Sequence, residues 1–156
     1  MTWLEVCEDK ALRDLPFKIE LNRWGKIEMS PHRRKHGMLQ ARIVARFSKL
    51  LPEGEMIVEC AVDTVDGVRV PDVAWASSER WNSMSDAASC SVAPEICVEV
   101  VSASNSTEEM DHKRRIYFLA GAEEVWFCDE QGDLHFFSTQ GELKGSRLCP
   151  RFPAKV

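Results

Sequence analysis

The sequence contains no apolar run that approaches the ~20 residues needed to cross a membrane. Its first nine residues include three acids and no apolar stretch as long as that of a signal peptide. These two absences argue against a membrane-spanning or exported protein. We therefore expect a cytoplasmic protein that has no membrane partner.

Motifs of several common enzyme classes are also missing. There is no glycine-rich phosphate loop, no Gly-x-Ser-x-Gly motif and no Cys/His spacing of a zinc site. The six cysteines lie far apart and form no Cys-x-x-Cys pair. We interpret them as reduced thiols of the core, which indicates a reducing compartment.

What is present is the composition of an ordinary globular domain. The 156 residues are 44% hydrophobic and 29% charged, which predicts one domain over residues 1–156. A chain of this length buries roughly 70% of the surface that its unfolded state exposes. It therefore needs neither a disulfide nor a metal merely to fold.

The charges are unevenly distributed along the chain. Residues 23–49 contain eight Lys and Arg residues against one acid, whereas residues 51–110 contain twelve acids against two arginines. The formal net charge of −5 argues against binding nucleic acid by bulk charge alone. A basic segment beside an acidic centre fits a metal-dependent enzyme that acts on polyanions. The alternative is a solvated charged surface.

Hydrophobic periodicity and turn residues predict a mixed α/β sheet with helices packed on it. The predicted elements, in chain order, are a hairpin at 22–29, a helix at 38–51, a hairpin of strands 56–63 and 68–76, a polar loop at 77–92 with a helical piece near 86–90, a strand at 96–101, a helix from Ser106 to Gly121, strands at 125–129 and 134–138, and an irregular C-terminal segment.

Glu99 lies in the middle of an apolar strand, where an ionised carboxylate requires a cation or hydrogen-bond donors. Asp72 lies in another strand, so the two acids can share one divalent cation if the strands are neighbours. A site made only of oxygen ligands favours Mg²⁺ or Mn²⁺. Lys113, on the helix that follows, is expected to point back over the sheet and to orient a water beside the metal.

Other interpretations of these residues remain open. Glu99 and Lys113 can form a purely structural ion pair, and Tyr117, one turn after Lys113, can either orient that lysine or only pack. His32 and His36 are four residues apart, but their flanking Pro31 and Gly37 favour exposed histidines at a helix start over a metal site.

Several segments match a known family. The most specific part lies between Pro94 and Asp129, and the matching motifs are Ala93-Pro94-Glu95-Ile96-Cys97-Val98-Glu99-Val100-Val101-Ser102, Lys113-x-x-x-Tyr117-x-x-x-Gly121, Glu124-Val125-Trp126-Phe127-Cys128-Asp129, Ser30-Pro31, His36-Gly37-x-Leu39-Gln40, Val70-Pro71-Asp72 and Leu148-x-x-x-Phe152. Over residues 20–153 this pattern resembles the Uma family of restriction-endonuclease-like proteins, within the PD-(D/E)XK nuclease superfamily.

The resemblance implies a restriction-endonuclease-like core, with a mixed central β-sheet flanked by helices. It implies Asp72 and Glu99 as metal ligands, Lys113 as the catalytic lysine and Gln40 as an additional site residue on the first helix. The superfamily consensus puts the lysine two residues after the second acid, where this chain has Val101. A lysine moved to the following helix is a known variation within the superfamily.

The function predicted from these observations is Mg²⁺- or Mn²⁺-dependent endonuclease cleavage of DNA. The alternatives are a non-catalytic nucleic-acid or protein-binding module with the same core, and an enzyme that cuts only in complex with a partner. Because one domain supplies one site, cutting both strands favours a homodimer. Phe136 and Phe137 are adjacent in a strand and face opposite sides, so we expect one of these rings to leave the core and anchor the dimer.

Overall fold

The computed structural model describes all residues, 1–156, and contains four α-helices and ten strands. The helices are α1 (Trp3–Glu8), α2 (Arg34–Leu50), α3 (Ser78–Ser83) and α4 (Thr107–Leu119). The strands are β1 (Phe17–Leu21), β2 (Ile27–Pro31), β3 (Glu55–Val58), β4 (Val62–Thr64), β5 (Gly67–Arg69), β6 (Val73–Ala76), β7 (Ile96–Val100), β8 (Glu124–Cys128), β9 (Leu134–Ser138) and β10 (Gly141–Leu143). No α-helix combines the length and the apolar composition of a membrane span.

The strands form two sheets, which confirms the predicted mixed α/β architecture. The larger sheet has the order β10-β9-β8-β7-β6-β3, and the smaller sheet has the order β2-β1-β5-β4. Only β7 and β8 pair in parallel, and α4 connects them. A parallel pair needs such a crossover, because the chain must return to the same end of the sheet.

Helices pack on both faces of the larger sheet. Leu39, Ile43 and Phe47 recur every four residues along α2 and are buried against one face, together with Trp126. Tyr117 of α4 lies in a second buried cluster on the other face. The central strands β7 and β8 are buried along their whole length, as their continuous apolar sequence indicates.

The prediction of two long strands at 56–63 and 68–76 is wrong, since each is broken into two shorter strands. β3 pairs with β6 in the larger sheet, whereas β4 pairs with β5 in the smaller sheet. Glu59 has a positive φ of 50°, which interrupts the first strand, and Pro71 interrupts the second because proline cannot donate a ladder hydrogen bond. The hairpin therefore joins the two sheets.

The tight turn of this hairpin is as predicted. Gly67 has a φ of 86°, and a Cβ atom at this position would overlap the carbonyl oxygen of Leu21 in β1. Glycine is therefore required both by the backbone conformation and by the close approach of the neighbouring strand. The turn thus brings β1 alongside β5, where Leu21 pairs with Val68.

One local prediction needs correction, and one helix is only partly capped. The helical piece expected near 86–90 lies instead at α3, where the Ser77 hydroxyl accepts a hydrogen bond from the Arg80 N–H and caps the helix. Ser106 caps α4 in the same way by accepting from the Glu109 N–H, but the Glu109 carboxylate accepts from Asn105 rather than from the Ser106 backbone. Only half of a capping box, the reciprocal pair of such hydrogen bonds, is therefore formed.

The prediction that either Phe136 or Phe137 of β9 leaves the core is wrong. Phe136 is only 2% exposed and packs edge-on against Trp126. Phe137 packs against Phe127 on the opposite face, and the Arg114 guanidinium lies 4.3 Å from its ring centre. Both rings have partners within the chain because the larger sheet is covered on both faces. A homodimer stays a prediction, but these rings do not support it.

All six cysteines are free thiols, and four of them are buried. Cys7 is exposed, however, so its assignment to the core is wrong. Cys60 and Cys90 are far apart in sequence, but their Sγ atoms are 3.7 Å apart in the structure.

Asp66 connects the β4–β5 turn to neighbouring elements and provides a pH test of the fold. Its carboxylate accepts hydrogen bonds from Arg69 at 2.6 Å and from Arg23 at 2.9 Å, and lies 2.9 Å from His112 Nε2. Burial acts to raise its pKa, but the hydrogen bonds with His112, Arg23 and Arg69 outweigh this and lower the pKa below its usual range. A lowered folded-state pKa stabilises the protein above the unfolded pKa of about 4, and this stabilisation is lost as the pH falls further.

We therefore expect Asp66→Asn to lower the melting temperature at pH 7, and the difference from wild type to shrink below about pH 4. Thermal unfolding followed by circular dichroism over this pH range measures the effect. Asp86→Asn, at an exposed position, is the control. A difference in melting temperature between Asp66→Asn and wild type that is the same at every pH would contradict the prediction.

Candidate active site

Asp72 and Glu99 lie side by side in the larger sheet. β6 and β7 are antiparallel, with Val73 opposite Val98, so Asp72, immediately before β6, continues this register opposite Glu99. The two residues are only 1% and 3% exposed. Asp72 Oδ2 accepts a hydrogen bond from the Val100 N–H at 2.7 Å. This bond fixes the carboxylate and leaves Oδ1 to face the cations described below.

Two side chains of α4 reach Glu99 from above the sheet. Lys113 Nζ lies 3.1 Å from Glu99 Oε1, and the Tyr117 hydroxyl donates to the same oxygen at 2.6 Å. Residues four apart share one face of a helix, so α4 presents the lysine and the phenol together. Tyr117 is fully buried. It therefore does more than pack, since it holds the carboxylate that Lys113 also contacts.

Lys18 is a second cation at these acids, and it was not predicted from the sequence. Its Nζ is 3.1 Å from Asp72 Oδ1 and also 3.1 Å from Glu99 Oε2. Lys18 lies on β1 in the smaller sheet and is 9% exposed. The available signal was the alternation Lys18-Ile19-Glu20-Leu21, which places a lysine and a glutamate on the same face of one short strand.

Glu20 brings a third carboxylate close to the two lysines. Its Oε1 accepts the Val70 N–H at 2.8 Å and lies 3.7 Å from Lys113 Nζ and 4.0 Å from Lys18 Nζ. The other oxygen, Oε2, is 3.5 Å from Arg69 Nη1. The cluster thus alternates acids and cations, and every buried polar side-chain atom of the chain has a hydrogen-bond partner.

α2 contributes His36 and Gln40 to the cluster. His36 Nε2 lies 3.1 Å from Asp72 Oδ1, so the expectation of a merely exposed histidine is wrong for His36. The error arose because sequence could not show that the first turn of α2 ends beside β6. His32 is exposed and lies 3.4 Å from Glu59. Gln40 donates to the main-chain carbonyl of Asp72 at 3.0 Å and does not contact the Asp72 carboxylate.

The surroundings affect the two acids differently. Burial raises the pKa of Glu99, and the charges of Lys113 and Lys18 offset this only partly. Burial also acts to raise the pKa of Asp72, but His36 and the charge of Lys18 outweigh it, so this pKa lies below its usual range. Although burial alone lowers the pKa of Lys18, Glu99 and Asp72 raise it well above the ordinary value. Lys18 is therefore an ammonium at neutral pH.

A cleft of about 210 Å³ opens beside the cluster. Its lining is mostly polar, and it includes both lysines of the cluster as well as three basic residues at the start of α2: Lys18, Lys113, His32, Arg33 and His36. The loop after β7 contributes Ser102, Ser104 and Asn105 to the opposite part of the lining. Such a cleft offers cationic and hydrogen-bonding groups to an anionic ligand.

The carboxylate oxygens of Asp72 and Glu99 can be compared with the ligands that a divalent cation requires. Nowhere in the chain do three or more His, Cys, Asp or Glu side chains converge into a metal site. Asp72 Oδ1 and Glu99 Oε2 nevertheless converge on one point, which the Lys18 ammonium occupies. Mg²⁺ is commonly held by one or two carboxylates, with waters and substrate phosphates as the remaining ligands. The two acids therefore fit such an ion, provided that Lys18 leaves the point between them.

Comparison with known proteins addresses the family and the fold. A family model described as "Uma2: Putative restriction endonuclease" matches residues 9–149. A crystal structure of a "putative nuclease belonging to DUF820" from Anabaena variabilis ATCC 29413 superposes with a TM-score of 0.67 and 20% sequence identity, covering 80% of this chain and 73% of that one. No curated protein matches the chain.

At 20% identity, the structural likeness bears on the fold alone, and it supports the predicted restriction-endonuclease-like core. The family model spans nearly the whole sequence, including every residue of the cluster around Glu99. The chain belongs to the Uma2 family of restriction-endonuclease-like proteins.

Proposed function

We propose that this protein is a metal-dependent endonuclease that hydrolyses phosphodiester bonds of DNA. The observation that carries the proposal is the convergence of Asp72 Oδ1 and Glu99 Oε2 on one cationic atom, with Lys113 3.1 Å from the same glutamate. Two acids and a lysine at the end of a basic cleft form a set suited to phosphodiester hydrolysis. Members of restriction-endonuclease-like families typically use divalent metals.

In this proposal, Asp72 and Glu99 hold Mg²⁺ or Mn²⁺, which supplies Lewis-acid chemistry at the scissile phosphate. Lys113 is 25% exposed at its side chain and lines the cleft. Its ammonium is therefore placed to hold the attacking water and to stabilise the negative charge that develops on the phosphate. Tyr117 positions Glu99 through the hydrogen bond to Oε1.

The substrate is bound mainly through its backbone phosphates in this proposal. Arg33 and His32 lie at the mouth of the cleft next to the exposed Arg34 and Lys35. Contacts from such side chains position a duplex without reading its sequence. We therefore assign little intrinsic sequence specificity to the enzyme.

One specific observation favours a second candidate function. Lys18 and Lys113 neutralise Asp72 and Glu99 within the protein, as a purely structural ion-pair cluster would require. A non-catalytic module that binds nucleic acid with the same core is therefore the rival function. The two functions differ in whether the bound DNA is cut.

Lys113→Ala discriminates between them. We expect wild type to cut plasmid DNA with Mg²⁺ or Mn²⁺ but not with EDTA, and the variant to lose at least about 10²-fold in rate with little loss of DNA affinity. Cleavage is measured on supercoiled, linear and single-stranded DNA, and affinity by fluorescence anisotropy. Linear product from supercoiled plasmid, rather than only a nicked circle, is expected if two chains pair as a homodimer.

Arg115→Ala is the matched control, because Arg115 is an exposed cation on the same helix. It should cut at the wild-type rate. DNA binding by wild type without cleavage of any DNA form would favour the binding module. Cleavage that persists in EDTA would contradict the role of the metal.

A further inference from the structure

Lys18 contacts both acids of the site, and the proposed chemistry leaves it without a role. Its ammonium lies at equal distances of 3.1 Å from Asp72 Oδ1 and Glu99 Oε2. These are the two oxygens assigned to the divalent cation. Lys18 comes from the smaller sheet, whereas both acids belong to the larger one. The contact therefore exists only because the two sheets meet at this point.

A metal ion and the ammonium cannot occupy this point together. Mg²⁺ requires its oxygen ligands at about 2.1 Å, and two cations between the same pair of oxygens would repel each other strongly in a buried site. The lysine has a flexible four-carbon stem and lines the cleft of about 210 Å³. Its ammonium can therefore leave the acids for the space that the phosphates of the substrate would enter.

We propose that Lys18 is a built-in competitor for the divalent cation, which holds the site closed by occupying the position between Asp72 and Glu99. This inference rests on the proposed metal-dependent function and adds a mode of regulation to it. The metal binds only when the ammonium leaves the acids. A DNA phosphate in the cleft offers the displaced ammonium a new anionic partner, so substrate and metal bind with positive coupling.

The coupling follows from linkage. If the phosphate stabilises the displaced position of Lys18, it raises the affinity for the metal, and the metal raises the affinity for the phosphate by the same factor. The lysine thus keeps the site from loading metal until a substrate is present. Without the ammonium, metal binding should depend less on DNA, because only direct ligation of the metal by a phosphate would then couple the two.

The test is a titration with Mn²⁺ alone, followed by calorimetry and by the electron paramagnetic resonance signal of free Mn²⁺, neither of which depends on cleavage. We expect Lys18→Met to bind Mn²⁺ at least about tenfold more tightly than wild type, because no ammonium has to leave the acids first. A tenfold change in affinity corresponds to about 1.4 kcal/mol. Lys144→Met, at an exposed lysine, is the matched control and should bind as wild type does.

A second measurement guards against a folding defect. Lys18→Met leaves two buried acids without one of their cations, so its melting temperature without metal should fall and added Mn²⁺ should raise it more than in wild type. Lys18→Gln, which keeps a hydrogen-bond donor, serves if the Met variant does not fold. A phosphorothioate duplex should tighten Mn²⁺ binding more in wild type than in the Lys18 variants.

The outcomes separate this inference from the proposed function. Equal or weaker Mn²⁺ affinity in Lys18→Met, with binding abolished by Asp72→Asn, would overturn the competitor role and leave the metal site standing. No Mn²⁺ binding by any folded variant, with or without DNA, would overturn both the metal site and the competitor. Tighter Mn²⁺ binding by Lys18→Met, with a smaller effect of DNA on that binding than in wild type, is the result that supports the inference.

Discussion

Under the proposed function, replacing Asp72 with Asn is expected to reduce Mg²⁺-dependent cleavage of DNA by on the order of 10³-fold. The two carboxylate oxygens of Asp72 have different partners, which makes this substitution informative. Oδ2 accepts the Val100 N–H, whereas Oδ1 faces Lys18 and His36. An asparagine keeps an oxygen for the backbone hydrogen bond but removes the charge that the cation requires.

The measurement is the single-turnover rate of plasmid cleavage, with near-UV circular dichroism to verify that the fold is retained. Asp86→Asn is the control, because it makes the same chemical change at an exposed position. It should cut at the wild-type rate. A loss of less than about tenfold in folded Asp72→Asn would remove Asp72 from the catalytic machinery.

The largest expected effect on stability concerns Glu124, which is 2% exposed and accepts four hydrogen bonds. Trp126 Nε1 and the Ser146 hydroxyl donate to Oε2, while the backbone N–H groups of Arg147 and Leu148 donate to Oε1. This carboxylate therefore links the C-terminal segment to the start of β8 through hydrogen bonds. None of the four donors is a charged side chain.

Glu124→Gln places an amide N–H₂ group against donors that already point inward, so two of them lose their acceptor. Each unsatisfied buried donor costs about 1–3 kcal/mol, and we expect unfolding to require about 3 kcal/mol less free energy than in wild type. For a chain of this size, that corresponds to a fall in melting temperature of roughly 10 °C. Thermal unfolding followed by Trp fluorescence measures the change.

Glu123→Gln is the matched control, since Glu123 is exposed and directly precedes Glu124. It should melt within roughly 2 °C of wild type. If Glu124→Gln has the same melting temperature as Glu123→Gln, the four hydrogen bonds contribute little net free energy. The C-terminal segment must then be held by apolar packing alone.

Part of the candidate site could be predicted because its residues lie on two consecutive elements, the strand β7 and the helix α4. A carboxylate inside the apolar run of β7 requires a partner wherever it occurs, and α4 follows β7 directly. A helix that connects two parallel strands packs back on their sheet. Glu99, Lys113 and Tyr117 therefore meet for reasons that the local sequence carries. The helix α2 and the strand β8 were predicted on the same local grounds.

Lys18, Glu20 and His36 could not be assigned to the site in this way. Lys18 and Glu20 lie on β1, which reaches Asp72 because the hairpin of strands β3 to β6 divides between two sheets at Glu59 and Pro71 and β1 pairs with β5. His36 lies on α2, which packs beside β6. Hydrophobic alternation predicts a strand but does not show which sheet it joins. The way in which two sheets pack together depends on residues far apart in sequence. The sequence pattern of β1 alone therefore could not show that Lys18 faces Asp72.

The sequence by itself determined the family, the mixed α/β class and the pair of acids with the lysine that follows them, because these depend on short-range periodicity and on contiguous motifs. Only the tertiary structure decided what surrounds the acids. The pairing of β1 with β5 puts the Lys18 ammonium between Asp72 and Glu99, and the packing of α2 beside β6 sets His36 against Asp72. Charges that converge from distant segments compensate one another only when the packed backbone brings them within a few ångströms.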